Sequence, residues 1–150
     1  MFVPPHPHTA TDERGMVHAP AVQIPAIILA EDEPDMLIIL HRILRDLTGG
    51  YDIIPVRDGV RALAHLALRP VPLLITDHNM PHMTGVDLAR AVKAVAPETV
   101  VVLITAYDTL ELEKRAHAAG VDHYLAKPFP FDRLEQIVSA ALTERYAPIA

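Results

Sequence analysis

The chain contains no cysteine among its 150 residues. Disulfide scaffolds, thiolate zinc sites and cysteine nucleophiles are therefore excluded, and a reducing compartment is permitted, so we expect the cytoplasm as its location. Long apolar runs are also lacking, because residues 26–30 and 100–106 fall well short of the roughly 18 to 20 apolar residues that a membrane span requires. We therefore expect no transmembrane helix.

Basic residues are in short supply. The sequence has 13 Lys and Arg against 19 Asp and Glu, which gives a formal net charge of -6 at pH 7. A protein that works by neutralising nucleic-acid phosphates or by docking on anionic lipid needs the opposite balance, so we expect neither direct nucleic-acid binding nor a membrane partner. The apolar fraction of 51% and the length favour one compact soluble domain.

Proline and histidine are concentrated at the start of the chain. Residues 1–25 hold five of the 14 prolines and three of the 9 histidines. Proline blocks helix and sheet hydrogen bonding, so this segment is predicted to be a largely disordered tail. Asp12 and Glu13 stand where a secretory signal would be basic and then apolar, so export is not expected. The folded domain is predicted over residues 26–145, and residues 146–150 form a predicted C-terminal tail.

From residue 26 onward, short apolar runs alternate with longer segments of helical period. This alternation is typical of repeated βα units around a parallel sheet, and it predicts an α/β fold of the (βα)5 type. The predicted strands are residues 26–30, 51–56, 73–76, 100–105 and 123–126. The predicted helices are approximately residues 34–47, 58–68, 84–95, 108–119 and 131–143.

Capping residues indicate where the helices begin. Asp58 and Thr84 are expected to cap the second and third helices, and the fourth is expected to begin at Asp108. By helical spacing, the second helix is expected to bury Leu63 and Ala67 against the sheet.

Charged and hydroxyl side chains mark the ends of the predicted strands. Glu31 and Asp32 follow the first strand, Asp77 follows the third, Thr105 ends the fourth and Lys127 follows the fifth. In an open parallel α/β sheet the carboxyl ends of the strands form the ligand crevice, so these groups are expected to share one shallow pocket. Clustered carboxylates repel one another unless a cation neutralises them, and an all-oxygen site suits Mg²⁺. In such a pocket Asp77 is the candidate nucleophile toward phosphorus.

Plainer interpretations of these residues stay open at this point. Acidic residues at strand ends often serve only as helix caps or as solvated loop residues. His78 and His82 flank the predicted pocket and are interpreted as solvated loop residues, because a transition-metal site needs several converging histidines.

Four separated segments carry a stronger signal: LAEDEPDML, LLITDHNMPHMTGVDL, LITAYD and YLAKPF. They occur in order at successive strand ends and resemble the signatures of response-regulator receiver domains of two-component signalling. The resemblance covers about residues 26–145. It implies a flavodoxin-like, doubly wound parallel sheet of five strands in the order 2-1-3-4-5, with helices on both faces.

The resemblance also implies which residues bind the metal and accept the phosphoryl group. Asp77 corresponds to the phosphoacceptor, and Asp32 corresponds to a direct Mg²⁺ ligand. Glu31 stands where the family most often has aspartate, and it is expected to reach the metal through water. Asn79 is expected to offer its backbone carbonyl to the metal.

Further residues are implied to bind the phosphoryl group and to report its presence. Thr105 corresponds to the hydroxyl that bonds the phosphoryl group, and Lys127 corresponds to the lysine that pairs with one of its oxygens. Tyr124 occupies the aromatic switch position. The bond between Lys127 and Pro128 resembles the family's cis peptide, and Gly85 fits the tight turn before the third helix.

The function implied by the resemblance is that of a phosphorylation switch in a two-component phosphorelay. A sensor histidine kinase or a phosphotransfer protein would supply the phosphoryl group, with Mg²⁺ as the cofactor. The domain would catalyse only its own phosphorylation and dephosphorylation, so we do not expect an enzyme with a separate substrate. The expected output is a downstream target protein, a fused output domain, or a homodimer formed through helix four, strand five and helix five.

Two other functions remain as alternatives. A degenerate receiver would act only as a protein interaction module, although Asp32, Asp77, Thr105 and Lys127 are all present. An aspartate-nucleophile phosphohydrolase would carry its nucleophile after the first strand in a D-x-D arrangement, which the segment AEDEPD does not provide.

Overall fold

The structure is a computed structural model that describes residues 23–145. Most of the tail predicted over residues 1–25, namely residues 1–22, and the whole tail predicted over 146–150 therefore lie outside the described residues. Strands and helices alternate along the chain. The strands are β1 (Ala26–Ala30), β2 (Asp52–Val56), β3 (Leu73–Asp77), β4 (Val100–Thr105) and β5 (His123–Ala126). The helices are α1 (Pro34–Leu47), α2 (Gly59–Leu66), α3 (Gly85–Val95), α4 (Leu110–Ala118) and α5 (Phe131–Arg145). None of these helices is both long and apolar enough to cross a membrane.

The five strands form one parallel sheet in the order β2-β1-β3-β4-β5. The predicted fold class and strand order are therefore confirmed. β1, β3 and β4 are buried at every position, because helices cover both faces of a doubly wound sheet. Since all strands run in the same direction, their carboxyl ends lie at one edge.

Two hydrophobic clusters cover the two faces of the sheet. On one face, α2, α3 and α4 contribute buried side chains such as Ala62, Leu88 and Leu112. On the other face, α1 and α5 contribute buried side chains such as Leu44 and Leu134. Alternate residues of β1 belong to the two clusters, so the apolar run that predicts this strand also anchors helices on both sides.

The predicted caps of the second and third helices are confirmed. The carboxylate of Asp58 accepts the Arg61 N–H at 2.8 Å. The hydroxyl oxygen of Thr84 accepts the Asp87 N–H at 3.2 Å. Both caps satisfy first-turn donors and hold the loops that follow β2 and β3 at the carboxyl edge.

The predicted start of the fourth helix at Asp108 is wrong. α4 begins at Leu110, and Thr109 is its N-cap, whose Oγ1 accepts the Leu112 N–H at 3.1 Å. The carboxylate of Asp108 instead accepts a hydrogen bond from the Tyr124 hydroxyl. Threonine and aspartate are both good capping residues, so residue type alone does not decide which of the two caps the helix. Asp108 is engaged by Tyr124 of β5, and Thr109 is the cap.

The predicted burial of Ala67 is also wrong. α2 ends at Leu66, and Ala67 lies in the following turn, where it is exposed. Ala62 is buried from this helix, while Leu63 is partly buried. Ala67 keeps helical backbone angles, but the turn tightens there, because the Leu68 N–H donates to the carbonyl of His65 three residues back. The helical spacing from Leu63 therefore no longer places Ala67 on an inward face.

Gly85, the first residue of α3, lies directly against the end of β3. Its N–H donates to the carbonyl of His78 at 2.8 Å. A Cβ atom at this position would stand 2.9 Å from the His78 Cα and would overlap the carbonyl oxygen of Asp77 and the side chain of Leu103. Glycine is therefore required here for the close approach of α3 to β3, rather than for a tight turn.

We expect Gly85→Ala to lower the free energy of unfolding by about 2 to 3 kcal/mol, in the range found for overpacked sites. The added methyl group would meet backbone atoms of Asp77 and His78, which the β3–β4 ladder holds in place. Urea denaturation followed by circular dichroism measures the change. Gly49→Ala is the matched control, since nothing lies within 4 Å of a Cβ at Gly49. An equal loss in both variants would contradict the packing argument.

Candidate functional site

The carboxyl ends of four neighbouring strands bring the polar residues of the site together. Asp77 is the last residue of β3 and Thr105 is the last residue of β4, while Glu31 follows β1 and Lys127 follows β5. Backbone hydrogen bonds extend past the strand ends. The Glu31 N–H donates to the carbonyl of Val56 at 3.0 Å, and the Lys127 N–H donates to the carbonyl of Thr105 at 2.7 Å. The backbone at these positions is therefore held by the sheet.

Three carboxylates form the centre of the site. One oxygen from each of Glu31, Asp32 and Asp77 lies within 4.8 Å of the other two. Glu31 and Asp77 are buried, with 2% and 7% of their surface exposed, whereas Asp32 is exposed. The cluster therefore consists of a buried pair and one member that faces solvent.

Lys127 places its ammonium group beside the buried pair. Its Nζ lies 3.3 Å from Asp77 Oδ1 and 3.4 Å from Glu31 Oε2. Burial disfavours the charge on Lys127, but the carboxylates of Asp77 and Glu31 outweigh this effect and raise its pKa. The lysine is therefore charged at neutral pH. The bond between Lys127 and Pro128 is cis, as the sequence predicted.

The carboxylates are only partly neutralised by this lysine. Burial raises the pKa of Glu31 and the charge of Asp77 raises it further, while the Glu33 N–H and Lys127 act in the opposite direction. Burial also raises the pKa of Asp77, against the effect of Lys127. Hard divalent cations such as Mg²⁺ prefer oxygen ligands and keep several waters, and the exposed side of Asp32 leaves room for them. The residues present therefore fit a Mg²⁺ ion.

Asn79 is not joined to the carboxylate cluster by its side chain. It lies on the loop after β3 and is exposed, and its side chain forms no hydrogen bond or ion pair with the rest of residues 23–145. The role predicted for Asn79 uses its backbone carbonyl and stays a prediction.

Thr105 and Tyr124 both bond to the loop between β4 and α4. Thr105 is fully buried, and its Oγ1 accepts the Tyr107 N–H at 3.0 Å. The Tyr124 hydroxyl donates to Asp108 Oδ1 at 3.0 Å. Burial, together with this carboxylate, raises the pKa of Tyr124 to about 12. Nothing in the sequence pattern indicates the contact of Asp108, because it depends on how β5 lies beside the loop.

The interpretation of His78 as a solvated loop residue is wrong. Its N–H donates to the Ile104 carbonyl at 2.9 Å, which extends the β3–β4 ladder beyond Asp77. The residue is 8% exposed, and its Nδ1 has no hydrogen-bond partner in the part of the chain that the structure describes. Burial lowers the pKa of His78, and the charge of Arg115 lowers it further. His82 is exposed, as expected, and has a positive φ of 70°.

A groove of about 580 Å³ lies beside Tyr124, where α4, β5 and α5 adjoin. His123 and Tyr124 of β5 line it together with residues of both helices. The outward-facing side chains of the two helices are exposed and include both charges and neutral groups, namely Glu113, Lys114, His117, Arg133 and Gln136. This face lies next to the loop between β4 and α4, to which Thr105 and Tyr124 are hydrogen-bonded.

Curated proteins of similar sequence are regulators. The chain is 33% identical over 118 residues to the response regulator protein PilR of Pseudomonas aeruginosa. The aligned residues cover 79% of this chain and 26% of that protein. It is 31% identical over 116 residues to the transcriptional regulatory protein ZraR of Salmonella typhimurium. Here the aligned residues cover 77% of this chain and 26% of that protein. The chain thus spans about a quarter of the length of these relatives.

Solved structures and a family model match the same part of the chain. The signal receiver domain of an HD domain-containing protein from Pseudomonas fluorescens superposes with a TM-score of 0.76 at 29% identity, over 83% of this chain and 99% of that one. The chemotaxis response regulator CheY4 of Vibrio cholerae gives a TM-score of 0.68 at 25% identity, over 80% of this chain and 100% of that one. Residues 27–139 match the model described as "Response regulator receiver domain", and the chain belongs to this family.

Proposed function

We propose that residues 26–145 form a receiver domain that accepts a phosphoryl group on Asp77 from a sensor histidine kinase or a phosphotransfer protein. The observation that carries the proposal is the setting of Asp77, a buried carboxylate clustered with two others within 4.8 Å and with the Lys127 ammonium 3.3 Å away. Phosphoryl transfer to a carboxylate requires a nucleophile and positive charge around the phosphoryl oxygens. Membership of the receiver family supports the same assignment.

In the proposed reaction, a carboxylate oxygen of Asp77 attacks the phosphorus atom of a phosphohistidine on the partner. The new O–P bond forms as the N–P bond breaks, and the electron pair of the N–P bond returns to the imidazole nitrogen. Lys127, which lies beside Asp77 and Glu31, would offset charge on the phosphoryl oxygens. The hydroxyl of Thr105, at the end of the next strand, would donate a hydrogen bond to one of them.

Mg²⁺ is the proposed cofactor of this reaction. Glu31, Asp32 and Asp77 would hold it directly or through water, and Asn79 would contribute its backbone carbonyl. When bound, the ion supplies positive charge that stabilises and orients the phosphoryl oxygens. The support for this proposal is the donor set of three clustered carboxylates, two of which have raised pKa values despite the neighbouring Lys127.

Phosphorylation is proposed to work as a switch, and the domain would turn over no separate substrate. Movement of Thr105 toward the phosphoryl group would change the surroundings of Tyr124, which lines the groove beside α4. The surface of α4, β5 and α5 is therefore the proposed output face, for a homodimer, a downstream target or a fused output domain in the cytoplasm. Its exposed side chains carry both signs of charge, which suits a reversible contact.

Incubation of the full chain with acetyl phosphate, with and without Mg²⁺, tests the proposal. Intact mass spectrometry should show the gain of one phosphoryl group only with Mg²⁺, because the clustered carboxylates otherwise repel an incoming phosphate. Borohydride reduction marks the acyl phosphate, and the marked peptide should contain Asp77. A gain that survives chelation of Mg²⁺ would contradict the metal assignment. No gain under any condition would favour an interaction module without phosphorylation.

A further inference from the structure

Hydrogen bonds along the loop between β4 and α4 connect the proposed phosphorylation site with Tyr124. Tyr107 donates its N–H to Thr105 Oγ1 at 3.0 Å. The next residue, Asp108, accepts the Tyr124 hydroxyl at 3.0 Å. Thr109 then caps α4. Thr105 and Tyr124 are therefore linked through two adjacent residues of one loop.

The hydrogen bond between Tyr124 and Asp108 joins a partly buried ring to an exposed carboxylate. The ring packs against the hydrophobic cluster that α2, α3 and α4 cover, while the hydroxyl bonds to the loop. Within residues 23–145, Asp108 forms no ion pair, so its carboxylate is engaged by Tyr124 alone. Burial and this carboxylate raise the pKa of Tyr124 to about 12, which agrees with a hydroxyl that donates to a charged acceptor.

We propose that Asp108 is a positioning residue, which holds the Tyr124 hydroxyl at the β4–α4 loop and thereby opposes the phosphorylated state. The inference rests on the proposed phosphorylation of Asp77. If Thr105 Oγ1 moves toward a phosphoryl oxygen, the Tyr107 N–H bound to it and the adjacent Asp108 must move with it or lose their bonds. A bond that exists in one of two states shifts the equilibrium toward that state by its own free energy.

The same contact connects the loop with the proposed output face. Tyr124 and Leu110 both line the groove beside α4, so release of the Tyr124 hydroxyl would change the shape of that groove. A partner that binds the groove better after this release would also stabilise the phosphorylated state, because coupling between two sites is reciprocal.

Beryllofluoride with Mg²⁺ imitates a phosphoryl group, and its binding to the full chain tests the inference. Asp108→Ala removes the acceptor and should lower the apparent Kd for beryllofluoride about fivefold, the effect of losing one ordinary hydrogen bond from the competing state. Tyr124→Phe removes the donor and should have the same effect. The double variant should bind no more tightly than either single variant, because all three lack the same bond.

Two further variants separate the hydrogen bond from charge and helix capping. Asp108→Asn keeps an acceptor at this position and should bind beryllofluoride nearly as the wild type does. Glu111→Ala removes an acidic side chain from the first turn of α4 without removing the contact of Tyr124, and its Kd should be unchanged. A gain in Glu111→Ala equal to that in Asp108→Ala would assign the effect to charge near α4 and overturn the inference.

A second measurement follows the hydroxyl itself. The chain has four tyrosines, and labelling them with ¹³C at Cζ allows each to be titrated by NMR. In ligand-free Asp108→Ala, Tyr124 should titrate at lower pH than in the wild type. An unchanged Tyr124 titration, or an unchanged Kd for beryllofluoride, would overturn the inference while leaving phosphorylation of Asp77 intact. A wild-type chain that does not bind beryllofluoride would overturn both proposals.

Discussion

Asp77→Asn is expected to abolish phosphoryl uptake from acetyl phosphate, with a rate reduced more than about 1,000-fold, because a carboxamide is not a nucleophile toward phosphorus. Asparagine keeps the size and shape of the side chain at the end of β3. The close contact of Gly85 with the strand and the position of Lys127 should therefore be preserved. Intact mass after a fixed incubation with Mg²⁺ measures the remaining uptake.

The matched control for this variant is Asp35→Asn. Asp35 is an exposed carboxylate in the first turn of α1, outside the acidic cluster, and its variant should take up the phosphoryl group at the wild-type rate. Peptide mapping distinguishes the nucleophile from its neighbours. If Asp77→Asn took up the phosphoryl group at the wild-type rate and carried it on Glu31 or Asp32, another carboxylate of the cluster would be the acceptor.

Most of the fold could be predicted because apolar runs and helical spacing act locally. The bounds of β1, β4 and β5 are the predicted ones. The order of the strands required the resemblance of the four motifs, since parallel strands of similar composition do not indicate which of them are neighbours. The start of α4 could not be predicted, because Asp108 and Thr109 are equally suitable caps until Tyr124 engages the carboxylate of Asp108.

The composition of the candidate site was also predictable, whereas its environment was not. Because the carboxyl ends of parallel strands share one edge, Glu31, Asp32, Asp77 and Lys127 could be placed together, and they lie together in the structure. His78 has the residue type of a loop position, yet it is buried where the ladder between β3 and β4 continues. Burial at such a position depends on the register of two distant strands, which no local pattern encodes.

Asp32→Asn is expected to weaken Mg²⁺ binding at least about 100-fold, since loss of groups that only orient metal ligands already costs about 10- to 100-fold. Asp32 is the exposed member of the cluster, so its replacement leaves no buried group without a partner. Isothermal titration calorimetry of the metal-free chain measures the affinity. Glu33→Gln removes a neighbouring exposed charge outside the cluster and should change the affinity little. Equal losses in both variants would point to general charge rather than to coordination.

The pH dependence of this binding follows from the raised pKa values of Glu31 and Asp77, for which burial is the main cause. Protons compete with the metal up to a higher pH than at ordinary carboxylates, so the Kd for Mg²⁺ should fall as the pH rises through these pKa values.

The stability of the metal-free chain should change in the opposite direction. Its folded state binds these protons more tightly than its unfolded state, so its free energy of unfolding declines over the same rise in pH. The difference between wild type and Asp77→Asn in urea denaturation measures the contribution of Asp77 together with its effect on the pKa of Glu31. If the wild type instead gained stability relative to Asp77→Asn over that window, Lys127 would outweigh burial, and the argument for a cluster that needs a metal would fail.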